Sequence, residues 1–194
     1  MLAHHANITH LSGTRVVQAL LDRQMLVEDA TRGFKLSYDK LIIATGARER
    51  FLPYPGWTLP GVTGAGGLQA LIKGGMPVRS ERIVIAGTGP LLWAAAVTAR
   101  EQGAKVVAIV EQASTDCVRR FATSLWQTPA KLVQAMCMRF DLRATPYFWG
   151  AYVAEAHGES RLTHVRVRHA NEDMRIDCDR LACAYGLVPN TQIG

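Results

Sequence analysis

Two apolar runs stand out in the middle of the chain, and a glycine turn follows the first of them. The first run and its turn are Ile-Val-Ile-Ala-Gly-Thr-Gly-Pro-Leu-Leu, residues 83–92, and the second run is Lys-Val-Val-Ala-Ile-Val-Glu, residues 105–111. Apolar runs of this length predict strands that are buried on both faces. Residues 91–102 between them are rich in alanine and precede Gly103, which predicts a helix that ends at a glycine. The order predicts a parallel βαβ unit.

The glycine turn of this unit has the composition of a phosphate-binding loop. Gly87 and Gly89 let the backbone approach a pyrophosphate closely, and Pro90 and Leu91 open a helix whose N-terminus favours negative charge. Glu111 follows Gly87 by 24 positions, close to the roughly 20 expected for an acid that binds ribose hydroxyls. We therefore predict a dinucleotide site formed by these five residues.

Glu111 also bears on which nucleotide would bind. A carboxylate that accepts hydrogen bonds from ribose hydroxyls repels a 2′-phosphate, so the sequence favours NAD over NADP. Arg119 and Arg120 would reverse this preference if they folded back over the ribose, but we expect them to be exposed helix residues. The alternative for Glu111 is a solvated acid at the end of a strand.

Leu92 departs from the three-glycine fingerprint, because it occupies the position of the third glycine. That glycine permits close packing of helix on strand, whereas the first two serve the turn and the pyrophosphate. We therefore expect Leu92 to affect helix packing more than phosphate contact. The departure leaves open a site that has lost its nucleotide.

Alternating polar and apolar positions occur on both sides of the βαβ unit. The segments lie at residues 14–20, 25–28 and 34–37, and again at 147–157, 162–168 and 174–176. Period-two patterning with polar turns predicts two antiparallel meanders. The first meander is too small to fold alone, so it has to pack against other parts of the protein.

Residues 118–140 show helical spacing interrupted by Pro129, which predicts two helical segments. We expect their large side chains to be core residues and not cofactor contacts; these side chains are Phe121, Leu125, Leu132, Val133, Met136 and Phe140. Two histidines further on, His157 and His164, have no identifiable acid-base partner in the sequence. We expect them to be structural or exposed.

Composition narrows the class of protein. The chain has 194 residues, 48% hydrophobic residues and a net charge of +6, which suits a globular protein of one domain, or of one domain and part of another. The basic residues are scattered and do not form a stripe interleaved with aromatics, so we do not expect nucleic acid binding. No apolar run reaches roughly 18 residues and the N-terminus lacks a signal-peptide core, so we expect no membrane span and a cytoplasmic location.

Four cysteines, Cys117, Cys137, Cys178 and Cys183, form no Cys-x-x-Cys pair and have no histidine spaced to complete a zinc site. We expect buried thiols and no metal. A redox disulfide between Cys178 and Cys183 is the less favoured alternative.

A second glycine motif, Ala44-Thr45-Gly46, ends the apolar run of residues 38–47, which predicts a short strand. This segment resembles the Ala-Thr-Gly strand of the FAD-dependent pyridine nucleotide-disulfide oxidoreductases, flavoproteins with two dinucleotide-binding domains. In that family the strand closes the first part of the FAD domain and passes the chain to the NAD domain. The closing Gly-Leu-Val-Pro-Asn-Thr, residues 186–191, resembles the family's return strand. The resemblance implies that Ala44, Thr45, Gly46 and Gly186 lie at a cofactor.

Two further segments resemble a narrower group within the family. Pro-Gly-Trp-Thr-Leu-Pro-Gly-Val, residues 55–62, and the Gly-Thr-Gly-Pro-Leu-Leu turn are similar to the flavoprotein subunits of opine oxidases, hydrogen cyanide synthase and related amino-acid and amine dehydrogenases. The glycine and proline content of residues 48–78 predicts a crossover with one short helix around 67–72. For the residues of the 55–62 segment, the alternative is a proline-stiffened linker. The narrower resemblance implies FAD in a full-length parent, other subunits of a heteromeric dehydrogenase as partners, and an amine or amino-acid-like substrate.

The resemblance divides the chain into a remnant of an FAD-binding domain at 1–47, a Gly/Pro-rich crossover at 48–78 and an NAD(P)-binding Rossmann-like domain at 79–194. The implied fold class is α/β: a Rossmann-like three-layer dinucleotide-binding domain with a β-meander, plus strands from an incomplete FAD domain. The family's first Gly-x-Gly-x-x-Gly and its late Gly-Asp segment have no counterpart, so we expect a fragment that is inactive by itself.

Two functions follow for such a chain. One is the nucleotide-binding portion of an FAD/NAD(P)-dependent oxidoreductase. The other is a non-catalytic, vestigial Rossmann domain that serves the assembly of subunits. No catalytic residue can be assigned from the sequence, since neither nucleophile-base spacing nor paired carboxylates occur.

Overall fold

The structure is a computed structural model that describes residues 7–124, 127–170 and 172–191. The chain forms two compact units, one made of Met1–Arg48 with Val188–Gly194 and the other of Glu49–Leu187. The domain bounds at 47/48 and 78/79 stay a prediction.

The first unit contains an antiparallel meander of three strands, β1 (Arg15–Leu20), β2 (Gln24–Glu28) and β3 (Gly33–Ser37), in the order β1-β2-β3. Asp22 and Arg23 make the first turn with positive φ angles of 58° and 54°. In the second turn the Asp29 carboxylate accepts hydrogen bonds from the backbone amides of Thr31 and Arg32. These local turns fix the register, and the predicted first meander is confirmed.

The strand predicted at residues 38–47 is wrong for most of its length. Residues 41–46 have no strand pairing in the structure, and only β4 (Ala47–Glu49) follows them. Ile42 is 89% exposed, with Leu41 and Ile43 also exposed. An apolar run forms a strand only where a neighbouring strand pairs with its backbone, and no strand among the described residues pairs with residues 41–46. β4 instead pairs with β13 (Leu187–Pro189) in a sheet of two strands.

The second unit is built around a parallel sheet of five strands. In spatial order they are β5 (Val62–Gly64), β12 (Arg180–Ala184), β6 (Arg82–Gly87), β7 (Lys105–Glu111) and β8 (Tyr147–Trp149). The predicted βαβ unit is confirmed, since β6 and β7 pair in parallel on either side of a helix. Strand β5 lies in the Gly/Pro-rich segment, where the sequence predicted only a helix.

Among the described residues, four α-helices accompany this sheet: α1 (Ala65–Lys73), α2 (Leu91–Glu101), α3 (Thr115–Ser124) and α4 (Pro129–Asp141). Helices α1 and α2 cover one face, where Ile83 and Ile85 of β6 pack with Leu68 and Leu92 in a hydrophobic core. Leu92 is fully buried, so its predicted role in helix packing is confirmed. Alanines on the sheet side of α2 allow the helix to lie close to the strands, which offsets the missing third glycine.

The second meander covers the opposite face of the sheet. Its strands are β9 (Ala151–His157), β10 (His164–His169) and β11 (Glu172–Asp177), paired antiparallel. Val84 and Ala86 of β6 pack against it, so alternate residues of one strand serve two cores. The three layers are therefore helices, parallel sheet and meander, as predicted.

The single alternating segment predicted at residues 147–157 is two strands. Gly150, with φ of 66°, separates β8 in the parallel sheet from β9 in the meander. Strand β8 has only three residues, too few to distinguish a continuous apolar run from an alternating one, so the sequence alone did not reveal the change of partner.

Helices α3 and α4 form where Pro129 predicted them, but their apolar side chains are not core residues. Phe121, Val133, Met136 and Phe140 are all exposed and Leu132 is half-buried, whereas Leu125 lies outside the described residues. None of the described residues of α4 is buried. Helical spacing predicts that a helix has an apolar side, but not that another element will cover that side.

The prediction of buried thiols holds for two cysteines and is wrong for two. Cys178 and Cys183 are buried under the meander, whereas Cys117 and Cys137 are exposed on α3 and α4. All four are free thiols. Within the described ranges, no helix is both long enough and apolar enough to cross a membrane.

Candidate functional site

The two glycines of the turn after β6 have different structural roles. Gly87 has a φ of +148°, and a Cβ added there would lie 2.2 Å from the carbonyl oxygen of Ala184 on β12. Gly89 has a φ of +89°, and a Cβ there would meet no atom within 4 Å. The first glycine is therefore required for strand packing. The second faces open space, where a ligand can approach the backbone.

Glu111, at the end of β7, is tied to this turn. Its side chain is only 3% exposed, and its Oε2 atom accepts a hydrogen bond from the Gly89 amide at 3.0 Å. Its Oε1 atom accepts another from the Ala113 amide at 2.9 Å. The alternative of a solvated strand-end acid is wrong, because the carboxylate is enclosed and held by two backbone donors.

These two hydrogen bonds do not use all the acceptor capacity of the Glu111 carboxylate. Each carboxylate oxygen offers two lone pairs, so Glu111 keeps acceptor capacity for further donors that reach it. Tyr147 at the start of β8 is one, with its hydroxyl 3.4 Å from Oε2. Burial raises the pKa of Tyr147 to about 12, so the phenol keeps its proton and acts as a donor.

An aromatic row continues from this tyrosine. The ring of Trp93, in the first turn of α2, contacts the ring of Tyr147 edge-on, with 6.2 Å between the ring centroids. Tyr147 contacts Trp149 in the same way, with 5.6 Å between the centroids. Trp93 and Tyr147 both face the space in front of the glycine turn. They supply flat apolar surface of the kind that packs against a nucleotide base or ring.

These residues border a cavity of about 680 Å³ at the carboxyl edge of the parallel sheet. This volume lies within the range of roughly 300 to 1,000 Å³ for small-molecule sites, and the place is where open α/β sheets bind ligands. The lining residues are Thr88, Gly89, Pro90, Leu91, Trp93, Ala94, Glu111, Ala113, Cys117, Val118, Phe121, Ala122, Lys131, Gln134, Ala135, Met138 and Tyr147. The wall contributed by α3 and α4 is largely apolar.

Four of the five predicted nucleotide residues line one cavity: Gly89, Pro90, Leu91 and Glu111. The fifth, Gly87, does not line it and packs against the backbone of Ala184. Arg119 and Arg120 do not line it. Both are exposed on α3, where the Arg119 guanidinium lies 3.8 Å from Asp116, so the interpretation of exposed helix residues is confirmed.

The Ala-Thr-Gly segment lies in the first unit, beside a smaller recess of about 360 Å³ lined by residues 43–46 and 189–191. Thr45 and Asn190 exchange hydrogen bonds: the Thr45 hydroxyl donates to the Asn190 carbonyl at 2.6 Å, and the Asn190 amide side chain donates to the Thr45 carbonyl at 3.0 Å. The Asn190 backbone amide donates to the Gly46 carbonyl at 3.1 Å. Ala44, Thr45 and Gly46 are thus gathered at one recess.

Gly186 belongs to the second unit and is not part of that recess. Its φ is +121°, and its carbonyl accepts a hydrogen bond from the Arg50 amide at 2.9 Å. A cofactor role for Gly186 stays a prediction.

Comparison with known proteins decides the family. A family model described as pyridine nucleotide-disulphide oxidoreductase matches residues 2–194. The chain belongs to this family. The prediction of membership among the FAD-dependent pyridine nucleotide-disulfide oxidoreductases, with a Rossmann-like α/β fold, is thereby confirmed.

Relatives and solved structures in this family place the chain further. It is 35% identical over 190 residues to the HcnB subunit of hydrogen cyanide synthase from Pseudomonas aeruginosa, covering 93% of this chain and 41% of that protein. It is 29% identical over 167 residues to an opine oxidase subunit from Rhizobium meliloti, covering 79% and 35%. Thioredoxin reductase of T. acidophilum has the same fold, with a TM-score of 0.64, 21% identity and coverage of 92% and 54%. The chain spans less than half the length of these two curated relatives.

Among the residues that line the cavity, the sequence did not indicate a role for Trp93, Tyr147 or Lys131. Tyr147 was within reach, because side chains at the carboxyl ends of neighbouring parallel strands meet at one edge, but its strand was assigned to the meander. Lys131 has no sequence signal. Only the packing of α4 beside α2 brings it to the cavity.

The two histidines are part of the meander strands and have partners that the sequence did not identify. His157 and His164 face each other across β9 and β10 with their rings stacked 4.8 Å apart, and the His157 Nε2 atom lies 2.9 Å from the Glu155 carboxylate. They lie in the meander, away from the cavity lining. Within the described part of the chain, no group of three or more histidine, cysteine, aspartate or glutamate side chains is arranged to hold a metal ion.

Proposed function

We propose that the second unit is the pyridine-nucleotide-binding portion of an FAD-dependent oxidoreductase, and that its cavity binds NAD. The observation that carries this proposal is the buried carboxylate of Glu111, which lines the cavity and holds the glycine turn through Gly89. Burying a charged carboxylate is costly unless it is hydrogen-bonded, and the amides of Gly89 and Ala113 supply those bonds while Glu111 lines the cavity. In dinucleotide-binding βαβ units, an acid at the end of the second strand accepts hydrogen bonds from the ribose hydroxyls.

Each part of the cavity has a place in this proposal. Gly89 leaves room for a pyrophosphate at the backbone, and the free lone pairs of Glu111 accept from ribose hydroxyls. A 2′-phosphate would bring negative charge against the enclosed carboxylate, which favours NAD over NADP. The bound nicotinamide supplies hydride transfer, and the chain's own residues supply binding and orientation.

A full-length parent would bind FAD through the first unit. Thr45, Gly46 and Asn190 border a recess with backbone and side-chain polar groups, and Gly46 leaves open space at its own Cα. These features fit one wall of a cofactor site and agree with the position of the Ala-Thr-Gly segment in the family.

The substrate and partners of the parent belong to the same proposal. The two curated relatives are named as subunits, one of hydrogen cyanide synthase and one of opine oxidase. We propose an amine or amino-acid-like substrate, and other subunits of a heteromeric dehydrogenase as partners. Four free thiols suit a reducing compartment, which supports a cytoplasmic location.

Calorimetric titration with NADH and NADPH tests the nucleotide assignment. We expect the chain to bind NADH more tightly than NADPH. Glu111→Ala should weaken NADH binding by about 10- to 100-fold, the loss expected for hydrogen bonds to a charged group. Glu159→Ala, in an exposed turn, is the matched control and should leave the affinity unchanged. No binding of either nucleotide at millimolar concentration would refute the proposal.

Alkylation of cysteines gives an independent test against a vestigial domain that serves only assembly. Cys117 lines the cavity, whereas Cys137 is exposed on α4 and does not. Bound NADH should slow modification of Cys117 and leave that of Cys137 unchanged. Equal rates for Cys117 with and without NADH would favour the vestigial function.

A further inference from the structure

We propose that Lys131 binds the pyrophosphate of the nucleotide and supplies the positive charge that the glycine turn of this protein lacks. This inference rests on the proposed nucleotide site and adds a residue from α4, which follows the βαβ unit in the sequence. Two separate observations support it: the small number of uncommitted amides at the turn, and the placement of Lys131.

The first amides of the turn are already engaged. The Thr88 amide donates to the Ala184 carbonyl at 2.8 Å, and the Gly89 amide donates to Glu111 at 3.0 Å. A phosphate at the turn would have to compete with Glu111 for the Gly89 amide. The loop itself therefore offers little to an anion.

The first turn of α2 is similarly limited. Pro90 has no N–H group, and the amides of Leu92 and Trp93 donate to the carbonyls of Gly89 and Pro90 at 3.2 Å each. From 88 to 93, only the Leu91 amide donates no hydrogen bond to another described residue. Phosphate binding at a helix N-terminus depends on several such amides, so this turn needs help from a side chain.

Lys131 is the one cation among the described residues that line the cavity. It is in the first turn of α4, which contains no acidic residue. A lysine at this end of a helix is unfavourable, because its charge faces the positive end of the helix dipole. Local helix preferences therefore do not account for Lys131. Residues that go against local helix preferences are expected at functional sites, and Lys131 is such a residue at a cavity.

The ammonium group of Lys131 also lacks a counter-ion within the part of the chain that the structure describes. Its Nζ atom donates one long hydrogen bond, at 3.4 Å, to the Gln134 side chain one turn along α4. No carboxylate of the described residues lies within 4.0 Å of it, and Glu111 is held by the turn instead. Lys131 is thus free to pair with an anion that enters the cavity. A negatively charged pyrophosphate next to Leu91 fits that role.

Calorimetric titration of the full chain with NADH, NADPH, ADP-ribose and adenosine tests the assignment. We expect Lys131→Ala to weaken NADH and ADP-ribose binding by about 10- to 100-fold, the effect of losing one hydrogen bond between charged groups. Adenosine, which lacks the pyrophosphate, should bind the variant and the natural chain equally. Lys131→Arg, which keeps the charge, should retain most of the NADH affinity.

Lys105→Ala is the matched control, since Lys105 is an exposed lysine at the start of β7 and does not line the cavity. Unchanged NADH affinity in Lys131→Ala would overturn the inference while leaving the proposed nucleotide site intact. An equal loss for adenosine would also overturn it, because the effect would then be one of shape. A loss confined to NADPH would assign Lys131 to the 2′-phosphate and overturn the pyrophosphate role. If the natural chain binds none of the ligands, both proposals fail.

Discussion

The Glu111 carboxylate accepts a hydrogen bond from the Gly89 amide at 3.0 Å, which ties the end of β7 to the turn that follows β6. The same carboxylate accepts from the Ala113 amide at 2.9 Å. Glu111 therefore does two things in this protein: it holds the backbone of the glycine turn in place, and it presents a buried acid to the cavity.

Glu111→Gln tests the first of these roles, the support of the glycine turn. The amide side chain keeps one acceptor oxygen but places an N–H₂ group where one backbone donor now points, so one buried donor is left without a partner. We expect the free energy of unfolding to fall by about 1–3 kcal/mol. Urea denaturation followed by circular dichroism measures it, with Glu159→Gln as an exposed control. A change below the error of the measurement would show that the turn does not depend on this bond.

Substitutions of the two turn glycines should differ. Gly87→Ala would place a methyl group 2.2 Å from the Ala184 carbonyl oxygen, at a φ of +148°, so we expect a loss of more than about 3 kcal/mol or failure to fold. Gly89→Ala meets no atom within 4 Å and carries only the strain of a positive φ, about 1–2 kcal/mol. Thermal melts of both variants test the order.

Gly89→Ala has a further expected effect. Its methyl group would extend into the cavity. The free energy of nucleotide binding should therefore be reduced by more than the free energy of unfolding. Comparable stability and nucleotide affinity in the two alanine variants would contradict this division of roles.

Leu92→Ala should destabilise the protein strongly, although Leu92 stands where the fingerprint has a glycine. The side chain is fully buried between α2 and the sheet, so truncation leaves a cavity and costs about 2–5 kcal/mol. Leu71→Ala, on the exposed side of α1, is the matched control and should cost less than about 1 kcal/mol. A small loss for Leu92→Ala would mean that α2 does not pack as described.

The four thiols should fall into two classes of reactivity. Burial raises the pKa of Cys178 to about 12 and that of Cys183 to about 11, so neither forms an appreciable thiolate at neutral pH. Cys117 and Cys137 are exposed. Iodoacetamide at pH 8 should modify these two in the native protein and all four in urea, as counted by mass spectrometry. Rapid native modification of Cys183 would indicate that the meander opens readily.

Acid should remove the contribution of Asp179 to stability. Hydrogen bonds from the Arg82 side chain and backbone lower the pKa of Asp179 from 3.8 to about 2. A carboxyl group with a lowered pKa stabilises the fold above its ordinary pKa, and that stability is lost as the pH falls from about 4 to 2. The pair is partly exposed, so the contribution is about 1 kcal/mol after allowance for solvent screening.

Asp179→Asn tests this pH dependence. The variant should be less stable than the natural chain at pH 7, and the difference should shrink toward zero by pH 2. Unfolding free energies measured in urea at several pH values follow it. A difference that stays constant with pH would assign the effect to packing and not to charge.

Local pattern was enough to predict much of the fold. The strands β6 and β7, the helix α2 and the glycine turn were all predictable, because a buried parallel strand needs a continuous apolar run and a phosphate loop needs glycines at fixed positions. Glu111 was predictable for the same reason, since it follows the second strand at a set distance. The first meander followed from its short polar turns.

Other features depended on which elements pack together. Residues 41–46 have the composition of a strand but find no strand partner among the described residues, so Ile42 is exposed. Tyr147 and His157 belong to one alternating segment, yet Gly150 sends them into different sheets. The apolar residues of α4 looked like core residues, but helical periodicity does not tell which side of a helix will be covered.

The sequence by itself determined the family, the Rossmann-like unit and the acid of the candidate site, because these depend on residues close to one another along the chain. Only the tertiary structure decided that Glu111 is buried and holds Gly89, and that Lys131 from α4 lines the same cavity. The physical reason is that burial, hydrogen bonds between distant residues and the lining of a cavity arise only when segments far apart in the sequence pack together. The sequence pattern of a segment indicates which helix or strand it can form, but not which other segments it will contact.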